Sequence, residues 1–406
     1  MGAHDLRRRC VVYCTHGLSD PLVSELIVDY LLRLQFLTSG RKILLFTEEP
    51  VGGAHDVDLV NRLTRASVEW RPLEYNVGGL QWVQKIALGL IMLWRTWRFS
   101  DGYQNTWLVG FLSFGGNYAA LLSKFGLGRN VTVCFEPHSK YMVEMGVWKV
   151  NGIRHRIVRW LEKLQLQGAY ALVLPTKAGM ALARGINAKG QLIYQGITID
   201  VRKAGFEPAS RSAFREQFGW RDNIVLAYVG KFGGIYYSVA EYMGFLLKIH
   251  AAGPEFRFLI IASQIQLDQV RADPGYHLLS SVITLYPPVA PIALHCILSA
   301  ADLGVIAVPP TPSQAYRTPV KTAHYWAAGL PIIIPEGVSD DHEIARSEQV
   351  GLVVTDLSTI NGHQFVAEVM ELFTDGAEPV RARCIEVAMK YRDTGKMVEL
   401  LDRLLT

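Results

Sequence analysis

Cysteine is scarce in this sequence, and the usual metal-binding patterns are missing. Five cysteines occur in 406 residues, an odd number, and none of them forms a C-x-x-C pair. There is no H-E-x-x-H pattern and no cluster of cysteine with histidine. We therefore expect buried thiols of a cytoplasmic protein, and neither a metal ion nor a cofactor.

Long apolar runs and a strong net charge are missing as well. The first nine residues carry several charges and lead into an apolar run of only a few residues, which predicts neither a signal peptide nor a membrane span. The net charge of +4 is too small to indicate nucleic-acid binding. Because half of the residues are apolar, a chain of this length can build two or three domains with sizeable cores.

Strand and helix patterns alternate along the first half of the chain. The strand patterns cover residues 10–14, 42–46, 106–111, 131–135 and 171–176, and a helix pattern covers 56–66. This alternation is typical of a parallel sheet covered by helices. Gly17 lies in the turn after the first strand, where open parallel sheets usually bind their ligands.

Two ionisable residues follow the strand pattern at 131–135. His138 could act on the proton of a hydroxyl group, and Glu136 could orient that histidine or act as the base itself. Both lie at the carboxyl end of a strand, where doubly wound folds build their sites. The alternative is a polar loop rim without a catalytic role, and the pattern does not decide between the two residues.

The segment Leu80–Phe99 is an apolar helix pattern with tryptophans near its ends. Its charges are Lys85, Arg95 and Arg98, and it contains no acidic residue. Such a helix could lie in a membrane interface and meet a lipid-linked acceptor as a peripheral contact. The alternative is a helix buried between the sheet and a neighbour, and the segment is too short and too charged to span a bilayer.

Two stretches of the second half carry features of a phosphate site. In Gly230–Gly234, glycines let the backbone approach a diphosphate closely, and Lys231 can reach its oxygens. In Ala307–Ile334, an apolar run, a polar loop, a helix entered at Pro319 and a second apolar run follow one another. Lys321 falls in the first turn of that helix, where the dipole disfavours a cation unless an anion lies opposite. The alternative for Lys321 is a solvated surface lysine.

The stretch Arg317–Ile333 resembles the donor-binding signature of the GT-B glycosyltransferases of the GT4-like group, S-P-x-K-x-x-E-Y-x-A-x-G-x-P-V-V. Leu226–Lys231 and Ile292–Val305 resemble the family's flanking segments in the expected order. The resemblance implies two Rossmann-like, doubly wound α/β domains. We expect an acceptor domain over residues 1–200, a donor domain over 201–380, and a terminal helix over 381–406 that packs on the first domain.

The resemblance also implies roles for particular residues. The expected donor-binding residues are Gly17, Gly230, Lys231, Pro288, Tyr316, Arg317, Thr318, Pro319, Val320, Lys321, His324 and Glu343. The expected catalytic residues are His138, Glu136, Lys231 and Lys321, the two lysines because charge accumulates on the departing nucleoside diphosphate. Pro288 represents the loop whose backbone meets the base.

The signature departs from the family at two positions. The family's paired glutamates, which contact the donor sugar and the ribose, fall at Tyr316 and His324. A neutral histidine can accept one hydrogen bond but not two in bidentate fashion. Glu343 could bind the ribose instead, or it could belong, with Asp340 and Asp341, to an N-terminal helix cap.

The resulting hypothesis is a metal-independent, retaining glycosyltransferase. It would move a sugar from a nucleotide-diphosphate sugar to a hydroxyl of a glycan, a lipid-linked or a small-molecule acceptor. Its location would be the cytoplasm or the inner face of the membrane. The alternatives are a degenerate, non-catalytic GT-B subunit that binds a partner, suggested by Tyr316 and His324, and a GT-B sugar-nucleotide epimerase.

Overall fold

A computed structural model of the chain describes residues 8–37, 40–53, 56–77, 81–186 and 188–406. The predictions made for the start of the chain and for Leu80 therefore fall on, or extend into, residues outside this part. The chain divides into two compact units, one formed by residues 1–196 with 394–406 and the other by residues 197–393.

Apolar runs buried on both faces build the parallel sheet of the first unit. Its strands run in the order β3-β2-β1-β4-β5-β6-β7, and every pair is parallel. The strands are β1 (Arg9–Tyr13), β2 (Lys42–Pro50), β3 (Val68–Tyr75), β4 (Thr106–Phe111), β5 (Arg129–Val133), β6 (Ala171–Leu174) and β7 (Gln191–Tyr194). The strand order reverses between β1 and β4, which is the switch point where such sheets bind ligands.

Helices connect these strands, and their bounds follow from local caps. Asp56 accepts hydrogen bonds from the backbone of Asp58 and Leu59, and Thr176 accepts one from Gly179, so helices begin after both residues. A π-helical segment (Leu22–Ile27) leads into the first α-helix. The helices are α1 (Val28–Leu37), α2 (Val57–Arg65), α3 (Gln81–Phe99), α4 (Leu112–Lys124), α5 (His138–Glu144), α6 (Ile153–Gly168) and α7 (Lys177–Gly185).

Glycines bring α4 unusually close to its neighbours. A Cβ atom on Gly110 of β4 would lie 2.4 Å from the backbone of Gly116 in α4. A Cβ atom on Gly116 would overlap the side chain of Gln165 in α6. Helix α4 is therefore packed closely between β4 and α6.

The second unit repeats the doubly wound plan with six parallel strands in the order β10-β9-β8-β11-β12-β13. These strands are β8 (Ile224–Val229), β9 (Phe256–Ile261), β10 (Ile283–Tyr286), β11 (Leu303–Val305), β12 (Ile332–Pro335) and β13 (Gly351–Val354). The helices are α8 (Pro208–Gln217), α9 (Val239–Ala252), α10 (Gln264–Arg271), α11 (Pro274–Leu279), α12 (Pro291–Leu298), α13 (Val320–Ala327), α14 (Asp341–Ser347), α15 (Gly362–Leu372) and α16 (Ala377–Arg392). The prediction of two doubly wound α/β domains is confirmed.

The last helix, α17 (Thr394–Leu404), belongs to the first unit and packs on α1. Asp402 of this helix pairs with Arg41 at 3.1 Å. The unit boundary follows residue 196, whereas the sequence placed it after residue 200. Residues 381–393, which the sequence grouped with the terminal helix, lie in the second unit as part of α16 and the residue after it.

Other predicted bounds shift modestly. The second strand extends to Pro50 rather than ending at residue 46, because its last residues pair with β3, a strand that the sequence patterns did not reveal. Among the described residues, no helix combines the length and the apolar content needed to cross a bilayer.

A buried ion pair joins α14 to α16 in the second unit. The guanidinium of Arg392 bonds the carboxylate of Asp341, and both side chains are almost completely buried. The same guanidinium lies 5.9 Å from the centre of the Trp326 ring. Removing one partner of such a pair leaves an uncompensated charge in the interior.

We predict that Asp341→Ala lowers the free energy of unfolding of the second unit by about 3–5 kcal/mol, because Arg392 then stays buried without its anion. Urea denaturation followed by circular dichroism measures this change. The double variant Asp341→Leu/Arg392→Met should recover much of the loss. A single variant as stable as the parent chain would contradict the assignment of this pair.

Candidate functional site

Lys321 lies in the first turn of α13, directly after the loop that follows β11. Its Nζ atom lies 4.5 Å from the centre of the Tyr228 ring and 4.4 Å from the centre of the Tyr236 ring. The same atom is 3.4 Å from the Tyr228 hydroxyl. No carboxylate of the described residues forms an ion pair with it, so two aromatic faces hold this ammonium group.

The two predicted phosphate stretches meet at this lysine. Gly230, which follows β8, has a φ of +138°, a backbone conformation that favours glycine. A Cβ atom at Gly230 would lie only 2.6 Å from Nζ of Lys321. The structure therefore places the glycine turn and the start of α13 side by side, and the absence of a side chain at Gly230 makes room for the ammonium.

Burial changes the chemistry of Lys321. It lowers the pKa of the ammonium to about 7, because the charged form loses hydration and no nearby anion compensates for this loss. A bound anion would supply that compensation and raise the pKa again. The group is thus a cation that costs the fold free energy until an anionic ligand binds beside it.

Lys231 lies elsewhere in the same turn. Its side chain is exposed, whereas its carbonyl oxygen accepts a hydrogen bond from the Tyr228 hydroxyl. The next backbone N–H, that of Phe232, donates to Oε1 of Gln266 at 2.5 Å. These bonds hold the backbone of the turn in place and leave the Lys231 ammonium at the surface.

His324 lies one turn further along α13 and contacts a second histidine. Its Nδ1 atom is 3.2 Å from Nε2 of His295 in α12, and the ring centres are 5.1 Å apart. Burial lowers the pKa of both rings, and the neighbouring His324 lowers that of His295 further. The pair is therefore neutral near pH 7, with one ring donating to the other.

The remaining predicted donor residues lie around the carboxyl end of the second sheet. Tyr316 ends a short 3-10 turn, and Arg317, Thr318, Pro319 and Val320 lead from it into α13. The backbone N–H of Ser339 donates to the carbonyl of Gln314 at 3.1 Å, which ties this loop to the turn after β12.

Two predicted donor residues lie further out. Glu343 is exposed in the first turn of α14. Pro288 is exposed beyond the end of β10, two strands from β8 in the sheet.

In the first unit, Gly17 lies in the turn after β1, against a buried carboxylate. The backbone N–H of Leu18 donates to Oε1 of Glu49 at 2.7 Å, and the hydroxyl of Thr47 donates to the same atom at 2.5 Å. A Cβ atom at Gly17 would lie 2.8 Å from Oε2 of Glu49. The turn is thus fixed by a residue at the end of the neighbouring strand.

His138 begins α5 inside an aromatic cluster. Its ring centre lies 4.7 Å from that of Phe114, 5.8 Å from that of Tyr141 and 5.6 Å from that of Trp148. Glu136 is half-buried two residues earlier, and its carbonyl accepts a hydrogen bond from the Ser113 hydroxyl.

Glu162 of α6 holds the start of α5. It accepts bonds from the backbone N–H and the hydroxyl of Ser139 at 2.8 and 2.5 Å. Burial raises the pKa of this carboxyl group to about 7. Through Ser139, Glu162 fixes the first turn of α5, which begins at His138.

Several residues of both sites escaped the sequence patterns. Lys85 of α3 pairs with Glu48 at 3.6 Å, and it also lies 5.8 Å from the centre of the Phe114 ring. Burial raises the pKa of Glu48. Glu48 and Glu49 lie at the carboxyl end of β2, and this position could have identified them as candidate site residues from the sequence. Tyr228 and His295 read as ordinary core residues, and only the fold brings them to Lys321 and His324.

Known proteins share this architecture. Residues 311–371 match the family model described as "Glucosyltransferase 3-like, C-terminal domain". This match includes the loop and helix that carry Lys321 and His324. The resemblance to the GT-B glycosyltransferases is confirmed.

Solved GT-B structures superpose on nearly the whole chain. HepE from Anabaena in complex with UDP has a TM-score of 0.69 and 11% identity, over 98% of this chain and 99% of that one. Sucrose-phosphate synthase from Thermosynechococcus elongatus has a TM-score of 0.71 and 14% identity, over 98% of both chains. WaaG, a glycosyltransferase involved in lipopolysaccharide biosynthesis, has a TM-score of 0.62 and 14% identity, over 98% of this chain and 99% of that one. No curated protein sequence matches the chain significantly.

The histidine pair predicts a pH dependence of stability. In the unfolded chain both histidines take up protons as the pH falls below about 6.5, whereas in the GT-B fold their lowered pKa values keep them neutral. Stability is therefore lost as the pH falls from about 6.5 towards 4. We expect the double variant His295→Gln/His324→Gln to show a flatter dependence in thermal unfolding over this range.

The exposed His363 of α15 provides the matched control. His363→Gln should retain the pH slope of the parent chain, because this ring is exposed in the folded protein. Equal slopes for the parent chain and the double variant would refute the role of the pair.

Proposed function

We propose that this chain is a retaining, metal-independent glycosyltransferase that uses a nucleotide-diphosphate sugar. The observation that carries the proposal is the Lys321 ammonium, which lies against Gly230 at the start of α13 without an ion-pairing carboxylate among the described residues. The free backbone N–H groups at the start of α13 and the neighbouring Lys321 ammonium, which is partly desolvated, would together bind a diphosphate.

The chemistry of transfer requires such a site. Negative charge accumulates on the departing diphosphate as the bond to the sugar breaks, and a cation placed beside it stabilises the transition state. Lys321 supplies that charge from within the site, and the exposed Lys231 supplies a second one from the glycine turn. Because two lysines and a helix N-terminus carry the charge, the proposed reaction needs no metal ion.

The first unit is proposed to bind the acceptor. Gly17, Glu136 and His138 all follow strands at the carboxyl edge of its sheet, on either side of the switch point. The hydroxyl to be glycosylated would bind along this edge, beside His138 and Glu136. Retention, with the donor phosphate oxygen helping to remove the hydroxyl proton, follows from the resemblance to the GT4-like group.

The comparisons support the choice of donor. HepE has been crystallised with UDP and with UDP-glucose, so UDP and UDP-glucose are the first ligands to test. Four of the five cysteines are buried and one is half-buried, and we expect them to stay reduced in a cytoplasmic location.

We predict that Lys321→Met weakens UDP binding by about 1.5–3 kcal/mol, because the variant loses a charge-assisted hydrogen bond to phosphate. Isothermal titration calorimetry at pH 8 in buffers of different ionisation enthalpy should also reveal proton uptake by the parent chain. In the ligand-free protein the Lys321 amino group, with a pKa of about 7, is mostly neutral at pH 8, and it takes up a proton when the diphosphate binds beside it. For the same reason, UDP affinity should fall as the pH rises above 7.

Lys248→Met is the matched control, since Lys248 is an exposed lysine of the same unit. It should preserve both affinity and proton uptake. Lys231→Ala should weaken binding without removing the proton uptake. Unchanged affinity in both the Lys321 and the Lys231 variants would refute the phosphate site, provided that circular dichroism shows them folded.

Measuring turnover of a nucleotide sugar distinguishes a glycosyltransferase from a non-catalytic subunit. We expect slow hydrolysis of a nucleotide sugar in excess EDTA, with the released sugar keeping its α- or β-configuration in proton NMR spectra taken during the reaction. Inverted product would refute the retaining mechanism, and loss of activity in EDTA would refute metal independence. Binding without turnover of any nucleotide sugar would favour the non-catalytic subunit suggested by Tyr316 and His324.

A further inference from the structure

The outer face of α3 is apolar and open to solvent. Leu88, Met92 and Thr96 face the sheet and are buried. On the opposite side, large apolar side chains recur every three or four residues and are 42–64% exposed: Val83, Ile86, Leu90, Trp94 and Trp97. Burial in the fold therefore does not account for the apolar excess of this helix.

A second stripe of the same kind runs along α6 and the loop before it. Its exposed apolar side chains are Val147, Val150, Ile153, Ile157 and Trp160. The spacing of the last three places them on one face of α6, opposite the buried His155, Val158 and Glu162. Ile153 is 79% exposed, more than any residue of the α3 stripe.

Both stripes belong to one layer of the first unit. Leu88 and Met92 of α3 share a core cluster with Ala119 and Leu122 of α4, and α4 in turn packs closely on α6. The crossovers β3-α3-β4, β4-α4-β5 and β5-α6-β6 all run in the same direction across the sheet, so their right-handed connections place the three helices on the same side. The exposed faces of α3 and α6 therefore both point away from the sheet on that side.

Basic side chains predominate beside the second stripe, although the exposed Glu144 lies three residues before Val147. The second stripe is flanked by five exposed basic side chains without an ion pair among the described residues: Lys149, Arg154, Arg156, Arg159 and Lys163. The only acidic residue between positions 145 and 163 is Glu162, which is buried and bonded to Ser139. Helix α3 contributes Arg98 at its exposed edge, stacked at 5.1 Å over the Trp94 ring.

We propose that the outer surface of α3 and α6 docks on an anionic lipid bilayer. The two apolar stripes, which contain tryptophans, can enter the headgroup region of the bilayer while the neighbouring arginines and lysines contact phosphate groups. Without such a partner, the two stripes would leave a large apolar surface exposed to water. Anionic headgroups match the basic side chains beside both stripes, and this charge complementarity favours an anionic bilayer as the partner.

The surface adjoins the candidate acceptor site. Trp148 lies between the exposed Val147 and Val150 and contacts His138, whose ring also touches Phe114 beside Lys85 of α3. A docked bilayer would thus bring lipid headgroups near His138, which deepens the proposed function by favouring a lipid-linked acceptor. The docking itself does not depend on sugar transfer, and its test uses no nucleotide.

The test is flotation of the purified full chain with vesicles. We expect binding to vesicles that contain phosphatidylglycerol and little binding to vesicles of phosphatidylcholine alone, with the bound fraction decreasing as salt is added. Arg154→Ala and Arg159→Ala should each lower the partition coefficient about fivefold. The double variant Ile157→Glu/Trp160→Glu should abolish binding, and tryptophan emission of the parent chain should shift to shorter wavelength when vesicles are added.

Ile265→Glu provides the matched control, since Ile265 of α10 in the second unit is an apolar residue that is even more exposed than Ile157 and Trp160. It should bind vesicles as the parent chain does. Absence of binding to anionic vesicles overturns the proposal, as does binding that Ile157→Glu/Trp160→Glu leaves intact. A dimer in sedimentation velocity that this variant dissociates, without vesicle binding by the parent chain, would assign the surface to a second copy instead. Retained UDP binding in any of these outcomes leaves the proposed function standing.

Discussion

The second unit depends on a cation held where the fold offers it no anion. Lys321 lies between two tyrosine rings, against a glycine that leaves space for it, and burial lowers its pKa to about 7. A buried charge without a partner is costly. An anionic ligand would offset this cost, and under the proposed function that ligand is a diphosphate at the start of α13. The neighbouring features, from the turn at Gly230 to the Tyr228 hydroxyl, are arranged around that ammonium.

The histidine pair shows how the site differs from a carboxylate-based one. A glutamate at position 324 would present two acceptor oxygens, whereas His324 is already bonded to His295 through Nδ1. Its other ring nitrogen remains for a ligand, and it carries one hydrogen bond at most. Under the proposed function, His324 would therefore make at most one hydrogen bond to a ribose, where a glutamate could make two.

The first unit combines a polar sheet edge with an apolar outer layer. Glu48, Glu49, Lys85 and His138 gather near the carboxyl ends of the strands, where the strand order reverses. On the adjoining layer, α3 and α6 expose tryptophans and isoleucines beside arginines. Exposed apolar area is unfavourable in water, and the proposed anionic bilayer would cover this layer.

The sequence by itself determined the two doubly wound domains and the donor loop. Alternating apolar runs, Pro319 before a helix and the glycine after it act locally, so their structural meaning can be inferred without a fold. It did not reveal β3, the extension of β2 to Pro50, or the roles of Tyr228, His295 and Glu49, because their partners lie far away in the chain. It left the environment of α3 open between burial and a membrane interface. Only the tertiary structure decided which sides of α3 and α6 face solvent, since burial depends on what packs against a helix and not on its own residues.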